Sequence, residues 1–132
     1  MNKKLPRLNC LSCGIECERY RQRFCKQKCQ LDFQYSVYIK KWKNDEVHGL
    51  KGMGVSNHVR RYLYESRGCK CEKCGWGLRN SFSNRIPVEI HHIDGDYKNN
   101  KESNLQILCP NCHSLTSTFR NLNKNGKRKT RN

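Results

Sequence analysis

Apolar residues are scarce in this chain. They fill 35% of its 132 positions, and the mean hydropathy is -0.99. That length suits one ordinary domain or two very small ones, and so thin an apolar supply is weak material for a self-sufficient core. No stretch approaches the ~20 apolar residues of a membrane-spanning helix. The basic opening, residues 1–7, is followed by no apolar signal-peptide segment, so the expected compartment is the cytoplasm. Acidic residues are scarce too: 11 stand against 27 Lys and Arg, a formal net charge of +16. The bland reading of that excess is solubility. The sharper one is a polyanionic partner, and with no membrane feature nucleic acid is favoured over lipid.

What the chain has in plenty is cysteine, ten in all. Cross-links of some kind can replace missing core burial in small folds. Cytosolic thiols stay reduced, so Cys pairs at CxxC spacing point to zinc rather than to disulfides. Cys10, Cys13, Cys25 and Cys29 make a C-x2-C-x11-C-x3-C frame. Each short pair can supply two ligands to a tetrahedral zinc, and Cys17 is left as a free thiol. Cys71 and Cys74 pair with Cys109 and Cys112 in a second frame, leaving Cys69 over. Two CxxC pairs are a strong signal. The expectation is two structural Zn2+ ions, which would bring the net charge to about +12.

Between the frames the pattern is helical. In QLDFQYSVYIKKWKN, Leu31, Tyr35, Tyr38, Ile39 and Trp42 recur at three- and four-residue steps, which predicts an amphipathic helix with an inward aromatic stripe. VHGLKGMGV, residues 47–55, reads as a hinge or loop. Ser56 is placed to cap a second helix, NHVRRYLYESR, with Val59, Tyr62 and Leu63 inward, Arg60 and Arg61 outward, and Gly68 past its end. His48 and His58 read as ordinary surface histidines, and Trp76 as packing on the second cysteine knuckle. The tail NKNGKRKTRN has no apolar anchor and is expected to be disordered when free. The expected organisation is a zinc-binding module at 1–33, a helical linker region at 34–68, a core at 69–122 and a basic tail at 123–132. Arg60, Arg61, Lys127, Arg128 and Lys129 are candidate phosphate contacts.

Residues 87–91 and 105–108 are strand-like, joined by a turn-rich loop at 94–104. Pro110 opens a helix that carries His113 directly after Cys112. In VEIHHIDGDYKNN the strand is expected to stop at His91, so that the chain turns and both rings reach one centre. His91 and His113 could then hold one divalent cation, with His92 unliganded beside it as a general base, a role that suits imidazole because its unperturbed pKa is about 6.5. That combination fits phosphodiester hydrolysis. Asn104 would orient the histidine loop through backbone hydrogen bonds, including one to the carbonyl beside His92. Asp94 and Asp96 read as turn formers rather than ligands, and Glu89 as a surface group or one backing a ligand.

IHHIDGD, SNLQILCPNCHSL and CEKCGW together resemble the HNH endonucleases of the ββα-metal, or His-Me finger, family, over about residues 56–122. They are most similar to small four-cysteine members from phages and bacteria, and the first cysteine frame resembles an extra zinc module found in some phage members. The resemblance implies that His91 and His113 are metal ligands, His92 the general base and Asn104 the family's central Asn. Some members carry a further histidine one helical turn after the last ligand. Ser117 stands there in this chain, which leaves more positions open on the ion and favours Mg2+ or Mn2+. The implied fold is a small zinc-stabilised α+β protein, a ββα-metal core with preceding helices and an N-terminal zinc finger-like module. The implied function is a metal-dependent DNA endonuclease, acting in the host cytoplasm if phage-encoded. A non-catalytic zinc-finger DNA-binding protein, or an accessory subunit of a phage packaging or recombination complex, is the alternative.

Overall fold

The computed structural model describes residues 5–121. Its first helix, α1, spans Gln27–Lys43. A small antiparallel hairpin pairs β1 (Leu50–Lys51) with β2 (Gly54–Val55). A second helix, α2, spans Asn57–Arg67. β3 (Glu89–His92) and β4 (Leu105–Leu108) pair antiparallel, with Ile90 opposite Ile107 and His92 opposite Leu105. The short α3 (Pro110–Ser114) follows directly. The architecture is α+β, built around two four-cysteine clusters.

The two clusters share one local design. Gly14 and Gly75 each follow a Cys-x-x-Cys pair and take φ of 77° and 76°, a region that glycine enters without a Cβ clash. The amide of Gly14 donates to Cys10 O, and the Cys10 amide to Ile15 O, both at 2.8 Å. Gly75, Cys71 and Trp76 repeat both bonds at the same length. Each knuckle is completed by cysteines at a helix start: Cys25 and Cys29 around the first turn of α1, Cys109 and Cys112 around that of α3.

Between the clusters lies the main apolar core. It joins Ile39 and Trp42 of α1, Val55 of the hairpin, Val59 and Leu63 of α2, Val88, and Leu105 and Ile107 of β4. Val59, Leu63 and Ile107 are wholly buried; burial of such side chains contributes about 1.5–3 kcal/mol each. Residues 34–68 therefore supply much of the packing for the strands that follow. The inward stripe on α1 is shorter than the sequence suggested. Leu31 is 53% exposed, because it precedes the part of the helix that meets the core. The stretch 47–55, expected as a hinge or loop, holds the β1–β2 hairpin, whose two-residue strands leave no readable alternation. Gly49 lies against the indole of Trp42, where a built Cβ would stand 2.8 Å from Nε1.

Ser56 caps α2 as its type and place suggest, accepting the Val59 amide at 3.3 Å, and Gly68 follows the helix at φ 80°. The two outer arginines differ. Arg60 is exposed. Arg61 is engaged within the fold, with Glu65 at 2.7 Å and Asp32 at 3.4 Å, over the Tyr35 ring. His58 is half-buried against Tyr38 at 4.8 Å, so it belongs to the α1–α2 seam rather than the open surface. Arg67, whose role the sequence did not reveal, fastens α2 to the strand pair. It donates to Leu105 O at 2.6 Å and Glu102 O at 2.9 Å.

Candidate active site

β3 and α3 bring their histidines together. The rings of His91 and His113 lie 5.2 Å apart, centroid to centroid. Alternation along β3 puts Glu89 on the same face as His91, and its carboxylate meets His113 Nδ1 at 2.5 Å. That bond leaves His113 Nε2 as the free ligand atom, the usual arrangement of a carboxylate behind a metal-binding imidazole. His91 is buried. Burial, then the neighbouring His113 and His92, holds its pKa below the ordinary value, so it offers a lone pair at neutral pH. Two imidazoles, one backed by a carboxylate, suit a divalent cation.

The strand does not stop at His91. It runs on through His92, which pairs with Leu105, because the Ile93 amide still reaches Asn104 O at 2.9 Å. The turn begins only there, so the expected bend between the two rings is absent. His92 is half-buried and its Nε2 meets Asn100 Oδ1 at 2.7 Å.

Asn104 holds the loop after His92 in place. Its Oδ1 accepts the Asp94 amide at 3.0 Å, and its Nδ2 donates to Asp94 Oδ1 and Asn99 O, each at 2.8 Å. The expected bond to the carbonyl beside His92 is not made; Gly95 N donates to His92 O instead, at 3.0 Å. Asp94 is a turn former here, accepting the Asp96 amide at 2.8 Å. The side chain of Asn99, then the Asp96 amide and Asn104, hold its carboxyl below the usual carboxylate range.

The segment after α3 also closes on the site. The helix ends at Ser114, so Ser117 is not one helical turn beyond His113, and it is exposed. Thr118 Oγ1 comes 3.4 Å from His91 Nε2, and the Phe119 ring packs edge-on to His113 at 5.4 Å. Reading the sequence missed Thr118, Phe119 and Asn100. No spacing rule marks them, since each meets its histidine only through the fold.

Both cysteine sets converge as expected. The four Sγ atoms of Cys10, Cys13, Cys25 and Cys29 lie within 4.8 Å of one another, as do those of Cys71, Cys74, Cys109 and Cys112. Sγ–Sγ separations are 3.5 and 3.4 Å in the first set and 3.8 Å in the second, close to the edge of about 3.8 Å in a tetrahedron with Zn–S bonds near 2.3 Å. Burial opposes charge on Cys10 and Cys71, but surrounding backbone amides bring both thiols down to about 6. Contact with the Cys29 thiol pushes Cys25 up to about 12, and burial does the same to Cys112. A divalent cation would deprotonate all four in each set. Cys17 is fully buried beside the first set but outside it. Trp76 packs against the second, as expected. Lys127, Arg128, Lys129 and the rest of the expected tail lie outside the described residues.

Residues 71–119, which hold both the histidines and the second cysteine set, match the family model for HNH endonuclease. The chain carries an HNH endonuclease domain. The H-N-H endonuclease F-TflIV of Escherichia phage T5 is 37% identical over 82 residues. That alignment covers 61% of this chain and 36% of the phage protein, so the chain spans about a third of its relative's length. No solved structure matches the chain. The first cysteine set, α1, the hairpin and α2 all precede the matched HNH segment.

Proposed function

We propose that this chain is a metal-dependent DNA endonuclease that hydrolyses phosphodiester bonds with His92 as general base. The observation that carries the reading is the facing pair His91 and His113, delivered by β3 and α3 of an HNH domain, with His92 next to it in the chain. A divalent cation held by those two imidazoles, Mg2+ or Mn2+ in this reading, would neutralise charge on the scissile phosphate and the leaving 3′-oxygen. His92 takes the proton of the attacking water, and Asn104 keeps the loop behind His92 in register. The two cysteine sets hold structural zinc. DNA is the substrate that a chain of formal charge +16 would bind, through phosphate contacts that weaken steeply with salt. Arg60 and the basic residues Lys127, Arg128 and Lys129 are offered as such contacts. Arg61 is a poorer candidate because two carboxylates already engage it.

The test is supercoiled plasmid with Mg2+ or Mn2+. His92→Ala should slow nicking by about 10²- to 10⁴-fold, the usual worth of a general base, while zinc content and DNA binding persist. Equal conversion by wild type and variant would remove His92 from the mechanism. No conversion by zinc-loaded wild type in either metal would leave a DNA-binding module alone.

A further inference from the structure

The Asn100 side chain is 3% exposed, and every polar group it carries is committed. Its Nδ2 donates to Tyr97 O at 3.2 Å. Its backbone amide donates to Lys98 O at 3.1 Å. Its backbone carbonyl accepts the indole Nε1–H of Trp42 at 2.8 Å, across 58 positions of sequence. Its Oδ1 faces His92 Nε2 at 2.7 Å.

These partners leave little choice of orientation. A backbone carbonyl only accepts, so the Tyr97 oxygen requires the amide nitrogen of Asn100 on its side. The amide oxygen is thereby turned to His92, and it too only accepts. The ring nitrogen it meets must therefore carry the proton. In a neutral imidazole the other nitrogen then holds the lone pair. Among the described residues no protein group is hydrogen-bonded to His92 Nδ1, so that lone pair is free for a water molecule.

Trp42 is the anchor of the arrangement. It belongs to α1, ahead of the segment that matches the HNH model. It is 5% exposed, packs edge-on to Tyr62 at 5.7 Å, and lies against the bare Cα of Gly49. Indole N–H can only donate, so it fixes the Asn100 carbonyl as firmly as Tyr97 fixes the amide.

We infer that Asn100, held by Trp42 from outside the HNH segment, is the positioning residue that sets His92 as its Nε2–H tautomer and makes Nδ1 the basic atom. This deepens the nuclease reading and rests on His92 being the base. When Nδ1 takes the proton from water, Nε2 keeps its own proton and its bond to Asn100. That bond becomes charge-assisted as the ring turns cationic, and so strengthens as the reaction proceeds.

The experiment uses the full zinc-loaded chain. Ring nitrogens are read by ¹⁵N NMR in the absence of Mg2+ and Mn2+, with the His92 signals assigned by their loss in His92→Gln. Wild type, read in its neutral form, should carry the ring proton on Nε2. Asn100→Ala should give a mixture of tautomers, and Asn100→Asp, which still accepts, should restore the wild-type form. In plasmid nicking, Asn100→Ala should lower kcat by about 10- to 100-fold, as small displacements of catalytic groups do, with KM for DNA little changed. Trp42→Phe keeps an aromatic ring but loses the donor, and should fall between wild type and Asn100→Ala. If Asn100→Ala does not fold, Trp42→Phe carries the same comparison. A neutral wild-type ring protonated on Nδ1, or a kcat for the Asn100 and Trp42 variants within twofold of wild type, overturns the inference. A wild-type chain that nicks nothing would defeat the nuclease reading instead, and the NMR result would still decide the tautomer.

Discussion

Glu89 and Arg61 show how much a single residue's value depends on what surrounds it. Both are charged and well exposed, with side-chain exposures of 58% and 44%. The Glu89 carboxylate backs the Nδ1 of His113 and so sets which nitrogen would face a cation held there. Glu89→Ala should weaken Mn2+ binding by roughly 10- to 100-fold, the usual effect of losing the group behind a ligating histidine. Titration followed by Mn2+ electron spin resonance would measure it, and excess Mn2+ should recover activity. Unchanged affinity would mean that His113 does not bind the ion. Part of this was legible beforehand. The paired cysteines announce themselves because the spacing within each pair is local. Glu89 reads from the sequence only as a surface or supporting group, and Asn100 is invisible there because its contacts with His92 and Trp42 span 8 and 58 positions.

Elements were readable in proportion to their length. α1 and α2 show helical periodicity over several turns, and Ser56 and Gly68 mark the limits of α2. β1 and β2 have two residues each, too few to show a period, so the hairpin reads only as a hinge or loop. The five-residue α3 is also too short for its end to be read, which is why Ser117 fell off the expected helix while Thr118 reached the site. The contact between α2 and the strands is where stability should be most sensitive. Arg67→Ala takes a half-buried guanidinium from Leu105 O and from Glu102 O, of which Glu102 O keeps the Leu105 amide, and should cost about 1–3 kcal/mol, the usual cost of one group left unpaired. Arg61→Ala should cost under about 1 kcal/mol, as exposed ion pairs do. Urea unfolding of the zinc-loaded variants would rank them, and the reverse order would refute this account of the α2 seam.

Among the described residues, two four-cysteine sets accompany one shared apolar core. The shared core is small, and the cysteine clusters sit at its flanks. Chelation of zinc should therefore abolish the cooperative thermal transition rather than lower its midpoint slightly, because small metal folds draw much of their folding free energy from the ion. Circular dichroism melts before and after chelation test this. A Cys13→Ser variant that still melted cooperatively, with one zinc bound, would show that the second cluster and the core suffice. At this scale composition pointed to cysteine clusters in place of a large core, whereas the α+β fold class was legible only through the resemblance of the histidine and cysteine motifs to a known family. The sharing of one core across residues 34–108 was not, because periodicity shows which face is buried but not against what.

α1 begins in the first cysteine cluster with Cys29 and closes with Trp42 on Asn100, in the loop after His92. A 17-residue helix is a rod of about 25 Å that turns about 100° with each residue. Its two ends are thus phased to each other. Adding one residue to its middle would swing the amino-terminal module about a third of the way around the axis, or else pull the indole off Asn100. Any module grafted ahead of this helix must enter the rod at the same azimuth, so changes in its length are tolerable only near whole numbers of turns.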